Sequence, residues 1–206
     1  MDFDDFRSEA PPALLLVVSG SSGAGKDAII DRMKELHCPF SYVVTATTRA
    51  QRANETDGEH YHFVTVDNFQ QMIERGELLE WASVYDNFYG VPRRSVSEAM
   101  KKGSDVLVKV DVQGAATIRR AVPGAVLVFI RPPSLRELEH RLRNRRSETA
   151  KELAVRLGKA AGEYDQLPLF DYVLTSQQGG IDEAVRQIQA IVAAEKCKVN
   201  PRRVEL

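Results

Sequence analysis

The pattern of hydrophobic positions divides the chain into short apolar runs separated by segments of helical periodicity. Apolar residues dominate Leu14–Val18, Val106–Asp111 and Ala125–Ile130 without alternating with polar ones. Uninterrupted runs of this length predict strands that are buried on both faces. A last strand is expected at Tyr172–Thr175, before a helix that begins near Asp182. The pattern therefore predicts an α/β protein with a parallel sheet covered by helices.

The stretch from about residue 45 to 95 has a different pattern. It is rich in aromatic residues and in short hairpin-like strands, and it contains one short helix, for which Asp67 is the predicted N-cap. Before it, Tyr42–Ala46 is predicted as a single second strand. Within it, Phe63 and Trp81 are interpreted as core residues. We expect this stretch to form a substrate lobe inserted into the α/β pattern.

A glycine-rich segment lies between the first predicted strand and the first predicted helix, Ala28–Leu36. Its spacing is G-x-x-x-x-G-K, which is typical of a phosphate-binding loop that opens a helix. Glycines let backbone N–H groups curve around an anion, and the helix N-terminus adds partial positive charge. The residues predicted to bind ATP are Gly20, Ser21, Ser22, Gly23, Ala24, Gly25, Lys26 and Asp27. The strand and helix on either side disfavour the alternative, an ordinary glycine-serine turn with a chance lysine.

The last position of this loop departs from the usual pattern. Asp27 stands where Ser or Thr normally supplies a hydroxyl to Mg²⁺. A carboxylate can bind the ion directly or through water, or it can simply cap the helix. The sequence leaves these alternatives open.

Composition limits the remaining possibilities. A length of 206 residues indicates one domain, and a net charge of −1 argues against nucleic-acid binding over the whole surface. Cys38 and Cys197 lie far apart without metal-ligand spacing, which fits a reducing, cytoplasmic location. Residues 1–12 are rich in acidic side chains and are expected to form a flexible tail. They lack the basic start of a signal peptide. The apolar runs are too short to span a membrane.

An arginine-dense helical hairpin is predicted before the last strand. Capping boxes at Ser134–Glu137 and Thr149–Glu152 mark the starts of its two helices. Arg141 and Arg145 share one face of the first helix, and Arg156 lies on the second. A solvated face or a local RNA-binding patch is the alternative interpretation. The phosphate loop upstream favours a lid whose guanidinium groups neutralise a transferring phosphate.

The order of these elements resembles the guanylate kinase family over residues from about 13 to 195. That family carries a T-T-R-x-x-R stretch followed by G-x-x-Y-x-F, and similar residues occur here. The segments that carry the resemblance are Thr45–Arg52, Tyr61–Phe63, Leu79–Ala82 leading to Tyr89 and Gly90, Asp111–Gly114 and Pro132–Ser134.

The resemblance implies a P-loop NTPase-type parallel sheet flanked by helices, with an inserted mixed-β GMP-binding lobe and a helical arginine-rich lid. A single domain would cover residues 13–206. The implied divisions are a core at about 13–44, 96–133 and 165–195, a GMP-binding lobe at about 45–95 and a lid at about 134–164.

The resemblance also implies roles for individual residues. Glu80 would accept hydrogen bonds from guanine N1–H and the 2-amino group as an ionised carboxylate. The expected GMP-binding residues are Thr45, Arg49, Arg52, Tyr61, Glu80, Tyr89 and Asp111. The expected catalytic residues, on the donor phosphates, are Lys26, Arg141, Arg145 and Arg156. Taken alone, Glu80 is equally well an ordinary solvated strand residue, and the two tyrosines are packing residues.

Mg²⁺, bound with ATP, is the cofactor that the resemblance implies, with Asp27 and Asp111 as candidate ligands. Two further departures affect the site. Lys109 stands where the family commonly has an acid, and Val91 replaces a small hydroxyl residue that would help to bind guanine.

The expected activity is ATP-dependent phosphorylation of GMP, and of dGMP, to the diphosphate in purine nucleotide metabolism. ATP and GMP are the expected partners, with no nucleic acid and no membrane, and the chain is expected to be a monomer or a homodimer. Two alternatives remain: a related kinase for a ribose phosphate, and a guanylate-kinase-like binding module without catalysis. Glu80 and the tyrosine pair argue against the first, while the loop glycines, Lys26 and the lid arginines argue against the second.

Overall fold

Two β-sheets organise the chain in a computed structural model that describes residues 11–53, 55–84, 86–144, 157–159 and 162–206. In chain order, the elements are β1 (Leu15–Gly20), α1 (Lys26–Glu35), β2 (Phe40–Tyr42), β3 (Ala46–Thr47), β4 (His62–Phe63), α2 (Val66–Glu74), β5 (Leu78–Val84), β6 (Asn87–Pro92), α3 (Arg93–Lys101), β7 (Asp105–Lys109), α4 (Val112–Ala121), β8 (Val126–Arg131), α5 (Leu135–Asn144), a 3₁₀ turn (Leu167–Leu169), β9 (Tyr172–Thr175) and α6 (Ile181–Lys196). Within this part of the chain, no helix is long and apolar enough to cross a membrane.

The first sheet is parallel and forms the centre of the molecule. Its strand order is β2-β7-β1-β8-β9, and every residue of β1 is buried. One hydrophobic core lies under α1 and α6, and a second lies under α3 and α4. Burial on both faces explains why these strands have apolar runs without alternation. The predicted α/β class is confirmed.

The second sheet is mixed and comes from the aromatic-rich stretch. Its strand order is β4-β3-β6-β5, with β3 and β4 parallel and the other pairs antiparallel. Phe69 of α2 is fully buried between Ala46 and Leu78, so this sheet has a small core of its own. This agrees with the predicted inserted lobe.

The prediction of a single strand at Tyr42–Ala46 is wrong. β2 ends at Tyr42 in the first sheet, and β3 begins at Ala46 in the second. Val43 N still bonds to Leu107 O of the first sheet at 3.1 Å, whereas Thr45 O accepts from His62 N of the second sheet at 2.9 Å. The continuous apolar run therefore reflects a strand-like connection that is shared by two sheets.

Two other local predictions are also wrong. The N-cap of α2 is Thr65, whose hydroxyl accepts from Asn68 N at 3.2 Å, while Asp67 lies in the first turn. Trp81 is 45% exposed instead of being in the core. It lies on the outer side of β5, an edge strand, with its ring edge-on to Phe88. Phe63 is partly buried.

A buried carboxylate fixes the segment that follows α6. Glu195 is fully buried and accepts hydrogen bonds from Tyr172 Oη at 2.6 Å, Lys198 Nζ at 2.8 Å and Arg202 Nε at 2.8 Å. Burial alone would raise the pKa of Glu195, but the bonds from Arg202, Lys198 and Tyr172 hold that pKa at about 2.

We expect Glu195→Gln to lower the free energy of unfolding by about 2 kcal/mol, because it removes the buried charge that accepts from Arg202 and Lys198, while Arg202 keeps its bond to Asp171. The wild-type carboxyl has its pKa lowered from 4.5 to about 2, so its stabilisation is present above pH 4.5 and is lost as the pH falls towards 2. Urea unfolding at pH 7 and pH 3 measures both effects. Glu183→Gln, at an exposed position on the same helix, is the control and should change little. A Glu195→Gln variant as stable as the control would contradict this account.

Candidate active site

The phosphate loop is fixed at its start by a close backbone approach. Gly20 ends β1 with φ +136° and pairs with Ile130 of β8. A Cβ atom at Gly20 would lie 1.9 Å from Ile130 O, so only glycine fits this position. Gly25, with φ +96°, is the residue before the first turn of α1. The structure thus has the strand, loop and helix that the glycine spacing predicts.

Lys26 folds back over this loop. Its Nζ donates to Gly20 O at 2.5 Å and to Ser21 O at 2.9 Å. Burial lowers the pKa of Lys26 to about 8, although the charges of Asp27 and Glu163 act in the opposite direction. An anion beside this lysine would favour the charged ammonium.

Two of the three departures noted in the sequence, Asp27 and Lys109, form an ion pair with each other. Lys109 Nζ lies 2.5 Å from Asp27 Oδ1 and 3.3 Å from Tyr61 Oη. Burial would lower the pKa of Lys109, but the nearby Asp27 and Tyr61 raise it above its ordinary value. Lys109 is therefore a charged group between the phosphate loop and the second sheet.

A cleft of about 1050 Å³ separates the phosphate loop from the second sheet. It brings together residues that are far apart in the sequence. The predicted site residues that line it are Gly20, Ser22, Lys26, Asp27, Thr45, Arg52, Tyr61, Glu80, Tyr89 and Asp111.

A cluster of cationic and phenolic side chains adjoins one part of this cleft, with Arg52, Tyr61 and Tyr89 on the cleft wall and Arg49 outside the lining, next to Tyr61. The Arg49 guanidinium lies 5.3 Å from the centre of the Tyr61 ring, and the Tyr61 and Tyr89 rings are 6.0 Å apart in an edge arrangement. Glu55 holds the cluster, because its carboxylate accepts from Arg49 Nη2 at 2.7 Å and from Arg52 N at 2.9 Å. Glu55 was not predicted as a functional residue from the sequence. Its position shortly after the two arginines is the feature that could have indicated it.

A buried carboxylate lies in another part of the cleft. Glu80 is 4% exposed, so the alternative of a solvated strand residue is wrong. Burial, with a smaller effect of the nearby Asp111, raises the pKa of Glu80 to about 8. The ionised form expected from the sequence is therefore the minor form at neutral pH in the absence of a ligand. A Cβ atom at Gly114 would lie 2.4 Å from Glu80 Oε2, so a side chain in the first turn of α4 would displace this carboxylate.

Asp111 and Val91 have structural roles near this carboxylate. Asp111 is the N-cap of α4, and its Oδ1 accepts from Gly114 N at 2.8 Å. Val91 is fully buried and packs in the core beneath α3 and α4. Position 91 therefore offers no hydroxyl to the cleft, since its valine side chain is apolar and buried.

The residues that could hold a metal ion are the carboxylates of Asp27 and Asp111, both on the cleft. In the described part of the chain, no three or more His, Cys, Asp or Glu side chains are grouped as a metal cage.

Helix α5 rests on the phosphate loop. Arg141 donates from Nη2 to Ser176 O at 2.8 Å and from Nη1 to Ala24 O at 3.4 Å, and Glu137 accepts from its Nε at 2.8 Å. The predicted cap of this helix is present, since Glu137 N donates to Ser134 Oγ at 3.1 Å. Arg145, Arg156 and the capping box at 149–152 lie outside the described residues.

Glu163 is a cleft residue that was not predicted from the sequence, because it belongs to none of the recognised motifs. It lies on the cleft with Lys159 and Gln166. Burial raises the pKa of Glu163 to about 7, even though the charge of Lys26 acts to lower it. Burial thus outweighs the attraction of Lys26, and the surroundings of Glu163 disfavour its ionised form.

The chain is similar to known proteins over nearly its whole length. A family model described as guanylate kinase matches residues 13–195. Guanylate kinase 2, chloroplastic/mitochondrial, of Oryza sativa subsp. japonica is 44% identical, over 98% of this chain and 72% of the relative. The guanylate kinase of Caldanaerobacter subterraneus subsp. tengcongensis is 40% identical, over 91% of this chain and 90% of the relative. A crystal structure of guanylate kinase from Anaplasma phagocytophilum superposes with a TM-score of 0.74 at 30% identity, covering 93% of this chain and 89% of that one.

Proposed function

Because this chain belongs to the guanylate kinase family, whose members transfer a phosphoryl group from ATP to GMP, we propose that the reaction takes place in the cleft between the phosphate loop and the second sheet. The single observation that carries this proposal is that one cleft is lined by Lys26 of the loop, by the buried Glu80 and by the Tyr61–Tyr89 pair. The products are ADP and GDP.

The cationic and phenolic cluster binds the phosphate of GMP. Arg49 and Arg52 supply charge, and the hydroxyls of Tyr61, Tyr89 and Thr45 supply neutral donors, which together suit a dianion. Support comes from Thr45, Arg52, Tyr61 and Tyr89 on the cleft wall, and from the contact of Arg49 with the Tyr61 ring.

Glu80 reads the guanine base. As a carboxylate it accepts from N1–H and from the 2-amino group, whereas adenine presents a lone pair at N1 and has no amino group at C2. A buried site built for such bonds rejects the wrong base by roughly 10⁴-fold or more. Support comes from the burial of Glu80 and its place on the cleft, away from the phosphate loop in sequence.

The donor phosphates of ATP lie on the loop amides of residues 20–27, with Lys26 and Arg141 as cationic contacts. Arg145 and Arg156 complete the predicted set. Kinases of this family use ATP with a metal ion, for which we propose Mg²⁺ held by Asp27, with Asp111 as a second carboxylate. When bound, Mg²⁺ neutralises charge on the donor phosphates. The chain's own residues position the two nucleotides in line.

The transfer requires no general base, because the attacking phosphate oxygen of GMP is already ionised. The protein's contribution is to orient the nucleotides, to stabilise the charge on the transferring group and to exclude water. We assign the core, lobe and lid to the residue ranges expected from the sequence, and we expect lobe and lid to close over the substrates.

The reducing environment expected for this enzyme is the cytosol. Cys38 and Cys197 are both free thiols, one buried and one exposed, which supports that expectation. Neither the ribose phosphate kinase nor the non-catalytic binding module is favoured by the family relatives.

An ADP-release assay with Mg·ATP tests the function directly. The acceptors to be compared are GMP, dGMP, AMP, UMP and a ribose phosphate. We expect kcat/KM for GMP to exceed that for AMP by about 10⁴-fold, because Glu80 accepts two donors that adenine lacks. Preferred turnover of a sugar phosphate would overturn the proposed substrate. GMP binding without any turnover would support the binding-module alternative.

Lys26→Ala should lower kcat by about 10²- to 10³-fold, since it removes a cation that contacts the transferring phosphate. Steady-state kinetics with thermal unfolding measure the effect on turnover separately from the effect on the fold. Lys102→Ala, at the exposed end of α3, is the matched control and should keep wild-type rates. An unchanged kcat in Lys26→Ala would remove the phosphate role of this lysine.

The raised pKa of Glu80 predicts a pH-dependent affinity for GMP. Below its pKa of about 8, Glu80 is mainly protonated and must lose its proton to accept both guanine donors. GMP should therefore bind about fivefold more tightly at pH 8 than at pH 7. Calorimetric titrations at the two pH values measure this ratio. Glu80→Gln should bind GMP weakly with no such pH dependence, and an equal pH dependence in that variant would contradict the assignment.

A further inference from the structure

Lys109 joins the two halves of the cleft. It is the last residue of β7, whose pairing with β1 places it beside Val18, two residues before the loop begins. Its ammonium contacts Asp27 of the phosphate loop at 2.5 Å and Tyr61 Oη of the second sheet at 3.3 Å. A single cation therefore contacts both the donor side and the acceptor side.

Lys109 lies on the cleft, where its ammonium can contact an anion in addition to Asp27. The side chain of Lys109 is 26% exposed, whereas that of Asp27 is 64% exposed and faces solvent. The ammonium also lies 5.0 Å from the centre of the Tyr61 ring. An ammonium has three donors, and only two have partners among these contacts, so Lys109 can bind a phosphate oxygen without leaving Tyr61.

We propose that Lys109 binds the phosphate of the acceptor nucleotide beside Tyr61, as a further substrate-binding residue of the transfer reaction. The proposal rests on the proposed function, which places a nucleoside monophosphate in this cleft. An acid, which the family commonly has at this position, would repel that phosphate. Lysine instead adds positive charge where the acceptor oxygen and the transferring group meet.

A simpler explanation competes with this role. In that explanation, Asp27 adds a negative charge to the phosphate loop, and the sole role of Lys109 is to neutralise this charge. The two explanations differ in what happens when both charges are removed. If Lys109 binds phosphate, then removing Asp27 as well does not restore phosphate binding.

Calorimetric binding of GMP and guanosine, without ATP or metal, tests the proposal. Lys109→Met keeps the length of the side chain and removes its charge. We expect its affinity for GMP to fall by about tenfold or more, and its affinity for guanosine to change less than twofold. Lys102→Met is the control at an exposed lysine and should match the wild type for both ligands. Lys109→Arg keeps a cation and should recover part of the GMP affinity.

Each remaining outcome has a defined meaning. If Lys109→Met prefers GMP over guanosine as strongly as the wild type does, whether or not both affinities fall, the role of Lys109 is overturned. A double variant, Asp27→Asn with Lys109→Met, should stay as weak for GMP as Lys109→Met. Recovery of wild-type affinity in that double variant would overturn the proposal in favour of simple neutralisation. A wild type that binds GMP no better than guanosine would instead overturn the proposed phosphate cluster itself, which separates the two failures.

Discussion

The parallel pairing of β1 with its neighbours is the constraint on which the site depends. Gly20 approaches Ile130 of β8 so closely that a side chain is impossible, and this fixes where the phosphate loop leaves the sheet. Parallel strands end at the same edge, so groups that follow other strands collect around this loop. Lys109 ends β7 and Ser176 follows β9, where it accepts from Arg141. The cleft is therefore a property of the sheet edge and of the lobe that faces it.

Much of the fold was predictable because burial on both faces leaves a clear signal in sequence. The glycine spacing indicated the loop, and family motifs indicated Glu80 and the tyrosines. Trp81 was mispredicted because it lies on the exposed face of β5, where it alternates with buried Glu80 and Ala82, and the hydrophobicity of one residue does not show which face is covered. The pairing of Asp27 with Lys109 was also hidden, since 82 positions separate residues that only the β1–β7 register brings together.

Burial shifts the pKa values of Lys26 and Glu80, the two charges proposed to bind nucleotides, in opposite directions. It lowers the pKa of Lys26 and raises that of Glu80, so each group is shifted towards its neutral form before a ligand is present. A phosphate beside Lys26 and a guanine beside Glu80 would each favour the charged form. Binding of such ligands would then be linked to proton uptake at Lys26 and to proton release at Glu80.

The exposure of Trp81 has an optical consequence. It is the single tryptophan of the chain, it is 45% exposed, and it lines the cleft directly next to Glu80 in the sequence. An indole in contact with water emits at longer wavelength than one covered by a base or by a closing lobe. Fluorescence that is excited selectively in the indole therefore originates at the cleft, and ligand binding there can be followed in real time without any attached dye.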